Sequence, residues 1–533
     1  MTDLASRTDA DGAGEFDSPA PLSPDARIDR RRVLPSRSNR QVAVASEVIG
    51  GPVGRHAAIG RNRTWTPLRV LFLMALIALA FGWFGKAGCI QQAPVAQGDD
   101  HTAGAERLNW DNQRQFYGLC YTDIVAFYSS QRLSVEDLRD GTMPYRTYWV
   151  TDSDGRQVRH YVDQPVLIGG FMYAAAKATQ GWQARVAHTP LPKQLDAVTF
   201  FNISAILLAF FWLIAVWATM LTARRRMWVA ALMALSPLAI LHAFTAFEII
   251  PVMLVALAML AWSRDRVILT GLFVGLAASA GMYPLLLLPA LLVICVRSRR
   301  LGDFAAICVT AVLAWAAVNV PVLIAYPRGW GEYFRVWWQR GAQPDSLYQV
   351  IGELAGHTPS PTLVNALSLT LTGVVIAGVV YVGLRAARTP SPAQLMFLLV
   401  AGYLLVGSAW SPQSSLWLVP LAVLAIPYPR ALLAWMVIDA LVWVPRMTLF
   451  LDADRRWLPK QWFELAVLVR AVAVIALCVL VVRALLIRPE PAVTGSPSPS
   501  SPRPSSQQPS SGPTSSSGQP SSSLTASPAP TVG

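Results

Sequence analysis

Residues 198–222 read VTFFNISAILLAFFWLIAVWATMLT, with no Asp, Glu, Lys or Arg among them. At 1.5 Å per residue, a helix of this length covers the ~30 Å hydrocarbon core of a bilayer. Comparable runs recur along the chain. An anchor extends from about Leu68 to Phe84, and further runs fall near 227–244, 248–262, 267–280, 284–297, 303–325, 362–384, 393–409, 415–428, 430–446 and 465–486. Composition agrees with this pattern: 53% of the 533 residues are hydrophobic and 14% are charged, against about 25% charged in soluble domains. The fold class expected is an all-α polytopic membrane protein, a bundle of about twelve transmembrane helices with a large first extracytoplasmic loop. A membrane β-barrel would show short alternating segments, and none stands out.

Three regions follow from the same reading. Residues 1–66 are polar, without a sustained apolar period, and read as a disordered cytoplasmic tail. Residues 67–488 hold the spans, with the segment 86–197 forming the large loop. From 489 the chain is Ser/Pro-rich and lacks the large apolar residues a core needs. Basic residues fix the orientation. Arg224–Arg226, Arg264, Arg266, Arg297, Arg299, Arg300, Arg385, Arg388 and Arg430 all fall in short turns on one side. The positive-inside rule makes that side cytoplasmic, with both termini there, in a plasma-membrane protein. The run Pro165–Trp182 would invert this pattern if it crossed, so it reads as an interfacial helix, as does the aromatic stretch Tyr326–Trp338. The net charge of +13 belongs to inner helix ends and gives no reason to expect nucleic acid. The five cysteines include no C-x-x-C pair, so no zinc site is indicated.

Loops between bundled helices usually run to about 2–8 residues, so a loop of some 110 residues calls for a role. Its informative stretch is Phe116-Tyr117-Gly118-Leu119-Cys120-Tyr121-Thr122-Asp123-Ile124-Val125-Ala126-Phe127-Tyr128. As one helix it would place Asp123 on a face with Phe116, Leu119, Cys120 and Phe127. A carboxylate among aromatics is desolvated, which suits a general base. The plainer alternative is an interfacial Asp that caps a helix or pairs with an arginine. Cys89 and Cys120 lie on one side of the membrane in this topology and are free either to pair or to remain thiols. Lys86-Ala87-Gly88-Cys89 approximates a lipoprotein box, but Lys86 stands where an aliphatic residue is wanted. Asp152-Ser153-Asp154-Gly155 has the spacing of an Asp-x-Asp metal motif, yet no strand–helix alternation surrounds it and a turn is the simpler reading. Asp99-Asp100 has no third ligand nearby.

Further along come Gly141-Thr142-Met143-Pro144-Tyr145 and Tyr161-Val162-Asp163-Gln164-Pro165. Together with Asp123 and the Tyr128 that follows it, these resemble the first outer loop of the polyprenol-phosphate-mannose-dependent glycosyltransferases of the GT-C class. That group is glycosyltransferase family 87, which includes the phosphatidylinositol-mannoside α-1,2-mannosyltransferases. The resemblance extends over about residues 68–487. It implies that Asp123 is the catalytic base and that Gly141, Pro144, Tyr145, Tyr161, Asp163 and Pro165 take the places of the family's two loop motifs. Ser346-Leu347 and Ser411-Pro412 correspond to later elements. Two positions depart from the pattern: no charge follows Ser411-Pro412, and Pro344-Asp345 replaces an Asn-Gln.

The resemblance implies a sugar, most readily mannose, carried on a polyprenyl phosphate and transferred at the outer face to a lipid-linked or glycan acceptor. The leaving phosphate is already an anion, so one carboxylate suffices, and neither a metal nor another cofactor is expected. The implied partners are the lipid-linked donor, the acceptor glycolipid or glycan, and membrane lipids. The leaving phosphate requires cations, and the loops offer Arg328, Arg335, Arg340, Arg446, Arg455, Arg456 and Lys460; each is equally open to snorkelling at a helix end. Tyr128, Tyr145, Asp163 and His357 complete the candidate donor and acceptor contacts. His242 and Glu248 flank a turn between spans, where Glu248 alternatively caps a helix. The rival class is a transporter or lipid flippase. Against it, few ionisable residues lie inside the apolar runs and the large loop would have no role.

Overall fold

A computed structural model describes residues 66–94, 106–153, 156–190, 193–357 and 359–487. The tails beyond 65 and from 488 lie outside the described residues, as do Asp99, Asp100, Asp154 and Gly155. Within them the chain is a helical bundle. Six helices are long and apolar enough to cross a membrane: Pro67–Ala87, Asp196–Ala223, Leu301–Ala325, Pro361–Arg385, Pro429–Leu449 (a continuous apolar stretch of two helices) and Lys460–Leu486. Six shorter apolar stretches accompany them, at Arg226–His242, Ile249–Ser263, Val267–Ala278, Tyr283–Arg297, Pro392–Val406 and Pro412–Ala425. The helix Val166–Val186 is long but is not among the candidate spans, in keeping with its reading as a peripheral element.

Local chemistry sets the boundaries. Thr66, Ser360 and Ser391 each stand before a proline, and their hydroxyls accept the backbone N–H three residues on. Proline in the first turn loses no helical hydrogen bond, and the hydroxyl satisfies one of the donors left over there. Helix approach is set by small residues. A Cβ on Gly271 would strike Thr310 and the Ile307 carbonyl, and one on Gly275 would strike Ala311 and Ala314. This four-residue spacing lets Val267–Ala278 lie directly against Leu301–Ala325, as small residues do at membrane helix interfaces. Trp212, Phe200, Phe201 and Phe397 fill the interior, whereas Phe81, Phe84, Ile206 and Val312 project outward. Outward apolar side chains are what a lipid-facing surface requires.

The basic turns gather at one end. Arg224 donates to the Ser263 carbonyl, Arg300 pairs with Asp265 at 3.1 Å, and Arg297 donates to the carbonyls of Gly383, Leu384 and Ala386. The helix Ile249–Ser263 runs from the Asp123 region, reached through Thr245, to this basic end. The charge pattern in the sequence therefore separates two ends of the bundle.

The first loop builds a cap over the Asp123 end. The strands Gln92–Pro94 and Glu106–Leu108 pair antiparallel, and Trp149–Ser153 pairs with Arg156–His160. The register joins Ser153 to Arg156. Cys89 and Cys120 form a disulfide, which ties the end of the first span to the Asp123 segment. The single helix expected over 116–128 does not exist. Arg114–Tyr117 and Asp123–Ser130 are separate helices, and Leu119 between them has φ of 57°. Phe127 shares Asp123's helix; Phe116, Leu119 and Cys120 do not. The disulfide at Cys120 and the left-handed Leu119 turn the chain where periodicity alone would continue it.

Candidate active site

Asp123 opens its helix, and the segment is held by long-range backbone contacts. The Thr122 hydroxyl accepts from the Ile124 N–H and donates to the Phe244 carbonyl at 2.7 Å; the Asp123 N–H donates to the Thr245 carbonyl at 2.8 Å. Thr122 is fully buried. These bonds tie the Asp123 segment to the turn between Pro237–His242 and Ile249–Ser263. The carboxylate is met from across the bundle by Gln413, whose Nε2 donates to Oδ2 at 3.1 Å. Gln413 follows Ser411-Pro412, so the two elements of the resemblance that lie furthest apart meet here. The Tyr121 hydroxyl also acts on the carboxylate electrostatically.

Burial pushes the Asp123 carboxyl above the usual range, and it is pulled back by Arg446, the Tyr121 hydroxyl, Lys86 and Arg340. Burial, and then Asp123 itself, keep the Tyr121 hydroxyl protonated far above neutral pH. The arrangement is a desolvated carboxylate with cationic side chains acting on it.

Those cations are themselves positioned. The Arg446 Nε donates to both oxygens of Asp345, at 3.0 and 2.9 Å, and its guanidinium lies 5.2 Å from the Phe450 ring centre and 5.9 Å from that of Trp443. Asp345, noted in the sequence only as a departure from the family pattern, is thus the anchor for the cation beside the base. Its carbonyl accepts from Arg470 Nη2 at 3.0 Å, and Arg470 lies on the face of Trp410 at 4.1 Å. Lys86 Nζ donates to the Tyr121 carbonyl at 2.8 Å and sits over the Trp443 ring. Sequence reasoning missed Lys86 and Arg470. One stood at the end of an apolar run as the residue that spoiled a lipoprotein box, the other in the middle of a span. The available signal was their cost: a charge inside an apolar run persists only with a partner. Asp439, wholly buried and bonded to Trp435 Nε1 at 3.2 Å, belongs to the same class and interacts with Arg470. Ionisable residues therefore do lie inside the apolar runs.

The other candidate residues divide. Asp163 Oδ2 accepts from Arg340 at 3.0 Å, so these two predicted residues form one pair on the flank of Asp123. Tyr128 is buried against Phe200, and its oxygen accepts the Val135 N–H at 3.1 Å. Tyr145, at φ of 65°, directs its hydroxyl at the carbonyls of Gln164 and Pro165, 2.9 and 3.0 Å away. Side chains on Gly169 or Gly329 would collide with Tyr145. Both tyrosines hold the loop together. Arg335 bonds Glu332 and Gln339, Arg328 is exposed at the start of the helix Pro327–Arg340, and His357 is exposed with Nδ1 3.2 Å from the Ala355 carbonyl. The structure does not bring these three to Asp123. Lys460 pairs with Glu353, and Arg456 donates to the carbonyls of Leu449 and Leu451. Glu248 makes no capping bond; its carboxylate accepts from Trp417 Nε1 at 2.6 Å, and Trp417 stacks on Tyr283 at 4.2 Å. His242 is buried with its ring edge-on to Trp443.

Residues 187–408 match the model of glycosyltransferase family 87. The match contains Arg328, Arg335, Arg340, Ser346-Leu347 and His357; it begins after Asp123 and ends before Ser411. No curated protein matches the chain. Among solved structures, ArnT from Cupriavidus metallidurans bound to undecaprenyl phosphate aligns with 77% of this chain and 76% of its own. The identity is 12% and the TM-score 0.36. Over residues 187–408 the chain is similar to glycosyltransferase family 87, and the enzyme class this likeness supports is a membrane glycosyltransferase.

Proposed function

We propose that the protein transfers a sugar, most readily mannose, from a polyprenyl phosphate to a hydroxyl of a lipid-linked or glycan acceptor at the outer membrane face. The observation that carries this reading is the setting of Asp123: one half-buried carboxylate, bonded to Gln413, with Arg446, Lys86 and Arg340 around it. In a single displacement the acceptor oxygen attacks the anomeric carbon, its proton passes to Asp123, and the bond from that carbon to the phosphate oxygen breaks with inversion. The polyprenyl phosphate leaves as an anion and needs no proton. Arg446 suits that anion: its Nε is committed to Asp345, while its terminal amino groups make no hydrogen bond among the described residues. The reaction needs no metal, because the cations that meet the phosphate are side chains.

The test is transfer from radiolabelled polyprenyl-phosphate mannose by membranes holding wild type or Asp123→Asn, with and without EDTA. Removal of a general base costs about 10²–10⁴-fold. We expect that loss in Asp123→Asn at unchanged insertion, and EDTA without effect. Transfer at the wild-type rate by the variant excludes Asp123 as base.

A further inference from the structure

The reaction needs a place for the acceptor, and a pocket beside Asp123 that nothing above explains has the chemistry for one. We propose that the pocket between the first loop and the turn after residue 449 binds the saccharide of the acceptor, an inference that rests on the transfer reading above. The pocket encloses about 580 Å³, within the ~300–1,000 Å³ of small-molecule sites, and is roomy enough for more than one sugar ring. Its lining includes Asn109, Asp111, Asn112, Arg114, Tyr117 and Arg455.

These are the side chains that sugars recruit. Amides, carboxylates and guanidinium forks bond neighbouring hydroxyls in pairs, and an aromatic face takes the apolar C–H side of the ring. Tyr117 is 67% exposed, the most of the loop's aromatic residues among those described. Among the described residues, Arg455 has only Asp454 within ion-pair range, at 4.0 Å. The walls are fixed to each other: Gln113 Oε1 accepts the Asp452 N–H at 2.9 Å, and Phe116 stacks on Phe450 at 5.4 Å. Phe116 also stacks on Tyr121 at 5.3 Å, two residues before Asp123. Phe116 and Tyr121 thus link the pocket wall to the Asp123 segment. A saccharide chain seated there needs to extend past Phe116 to present its terminal hydroxyl to the carboxylate.

The experiment is saturation-transfer NMR on the detergent-solubilised full chain, with methyl disaccharides of mannose, glucose and galactose as probes. At least one probe is expected to receive saturation from wild type and from Asp123→Asn. Tyr117→Ala and Arg455→Ala are expected to weaken that binding by about tenfold each, the cost of losing a contact to a charged or stacked group. Both residues are exposed, so an unchanged elution profile serves as the folding control. No saturation of any probe by wild type, or binding that survives both substitutions, overturns the proposal. Failure of the transfer reading shows up separately: wild type then releases no mannose from the labelled donor, while probe binding still depends on Tyr117.

Discussion

Replacing Arg470 by methionine removes the buried cation whose field acts on Asp439 and leaves the surrounding volume nearly filled. Arg470 and Asp439 are both fully buried, on Lys460–Leu486 and Pro429–Leu441. Removing one of two opposite buried charges strands the other, which costs about 3–5 kcal/mol. Removing both partners, in Arg470→Met/Asp439→Leu, strands nothing and is neutral within about 1–2 kcal/mol or slightly stabilising. In detergent, with the monodisperse fraction followed against temperature, the single variant is expected to melt about 6–10 °C lower, at roughly 2 °C per kcal/mol. The double variant returns to near the wild-type midpoint. Activity separates from stability here. The double variant still lacks the guanidinium that donates to the Asp345 carbonyl at 3.0 Å, so Arg446 is held less firmly and transfer stays depressed by about tenfold, as small displacements of catalytic groups produce. Arg470→Met melting with wild type, or the double variant melting below Arg470→Met, refutes the coupling of the two charges. A double variant with full activity refutes the positioning role of Arg470.

Gln413→Leu deletes the amide donor to Asp123; a hydrogen bond to a charged group is worth about 1.5–3 kcal/mol, so kcat should fall by at least about tenfold at unchanged expression, and unchanged kcat excludes the contact from the mechanism. Because burial raises the Asp123 carboxyl, the ionised base forms only above the ordinary carboxylate range, and kcat/KM should climb with pH through that raised value. The effect of Asp123 on stability has the opposite sign: a raised carboxyl binds its proton more tightly when folded, so its contribution is full at low pH and lost as pH rises through the folded value. An acid limb at an ordinary carboxylate pKa contradicts the burial argument. Gly329→Ala drives a Cβ into the Tyr145 carbonyl, which should displace the helix Pro327–Arg340 and cost about 1–3 kcal/mol, read as a lower melting midpoint and weaker transfer.

The spans were legible because an apolar run long enough for a bilayer has few other readings, and the arginine turns marked one end of the bundle without any tertiary information. The cap was not legible in the same way. A helical period over 116–128 is real, but the chain obeys the Cys89–Cys120 bond and the contact from Asp123 N–H to Thr245, a residue 122 positions on. No local pattern encodes either. Arg446 was found because it lies just beyond a run, where cations are expected to be useful. Lys86 and Arg470 were passed over because an apolar neighbourhood made them look incidental, and their partners, Tyr121 and Asp345, lie 35 and 125 residues away.

The cost of a buried charge argues that these residues act together. An isolated carboxylate as buried as Asp123 would hold its proton and could not accept another from an acceptor hydroxyl. A carboxylate paired tightly with one arginine would lose its basicity instead. Here the bifurcated contact of Arg446 Nε goes to Asp345, so Arg446 reaches Asp123 as a neighbouring field and not as a salt-bridge partner. The carboxylate is left with the Gln413 amide as hydrogen-bond donor and the Tyr121 phenol acting on it electrostatically, which stabilise its charge while still allowing it to take a proton. The same field favours an anion leaving next to it. The buried aspartates and arginines are thus accounted for as one arrangement: Asp345 occupies Arg446, Arg470 holds Asp345, and Asp439 compensates Arg470 within the bilayer.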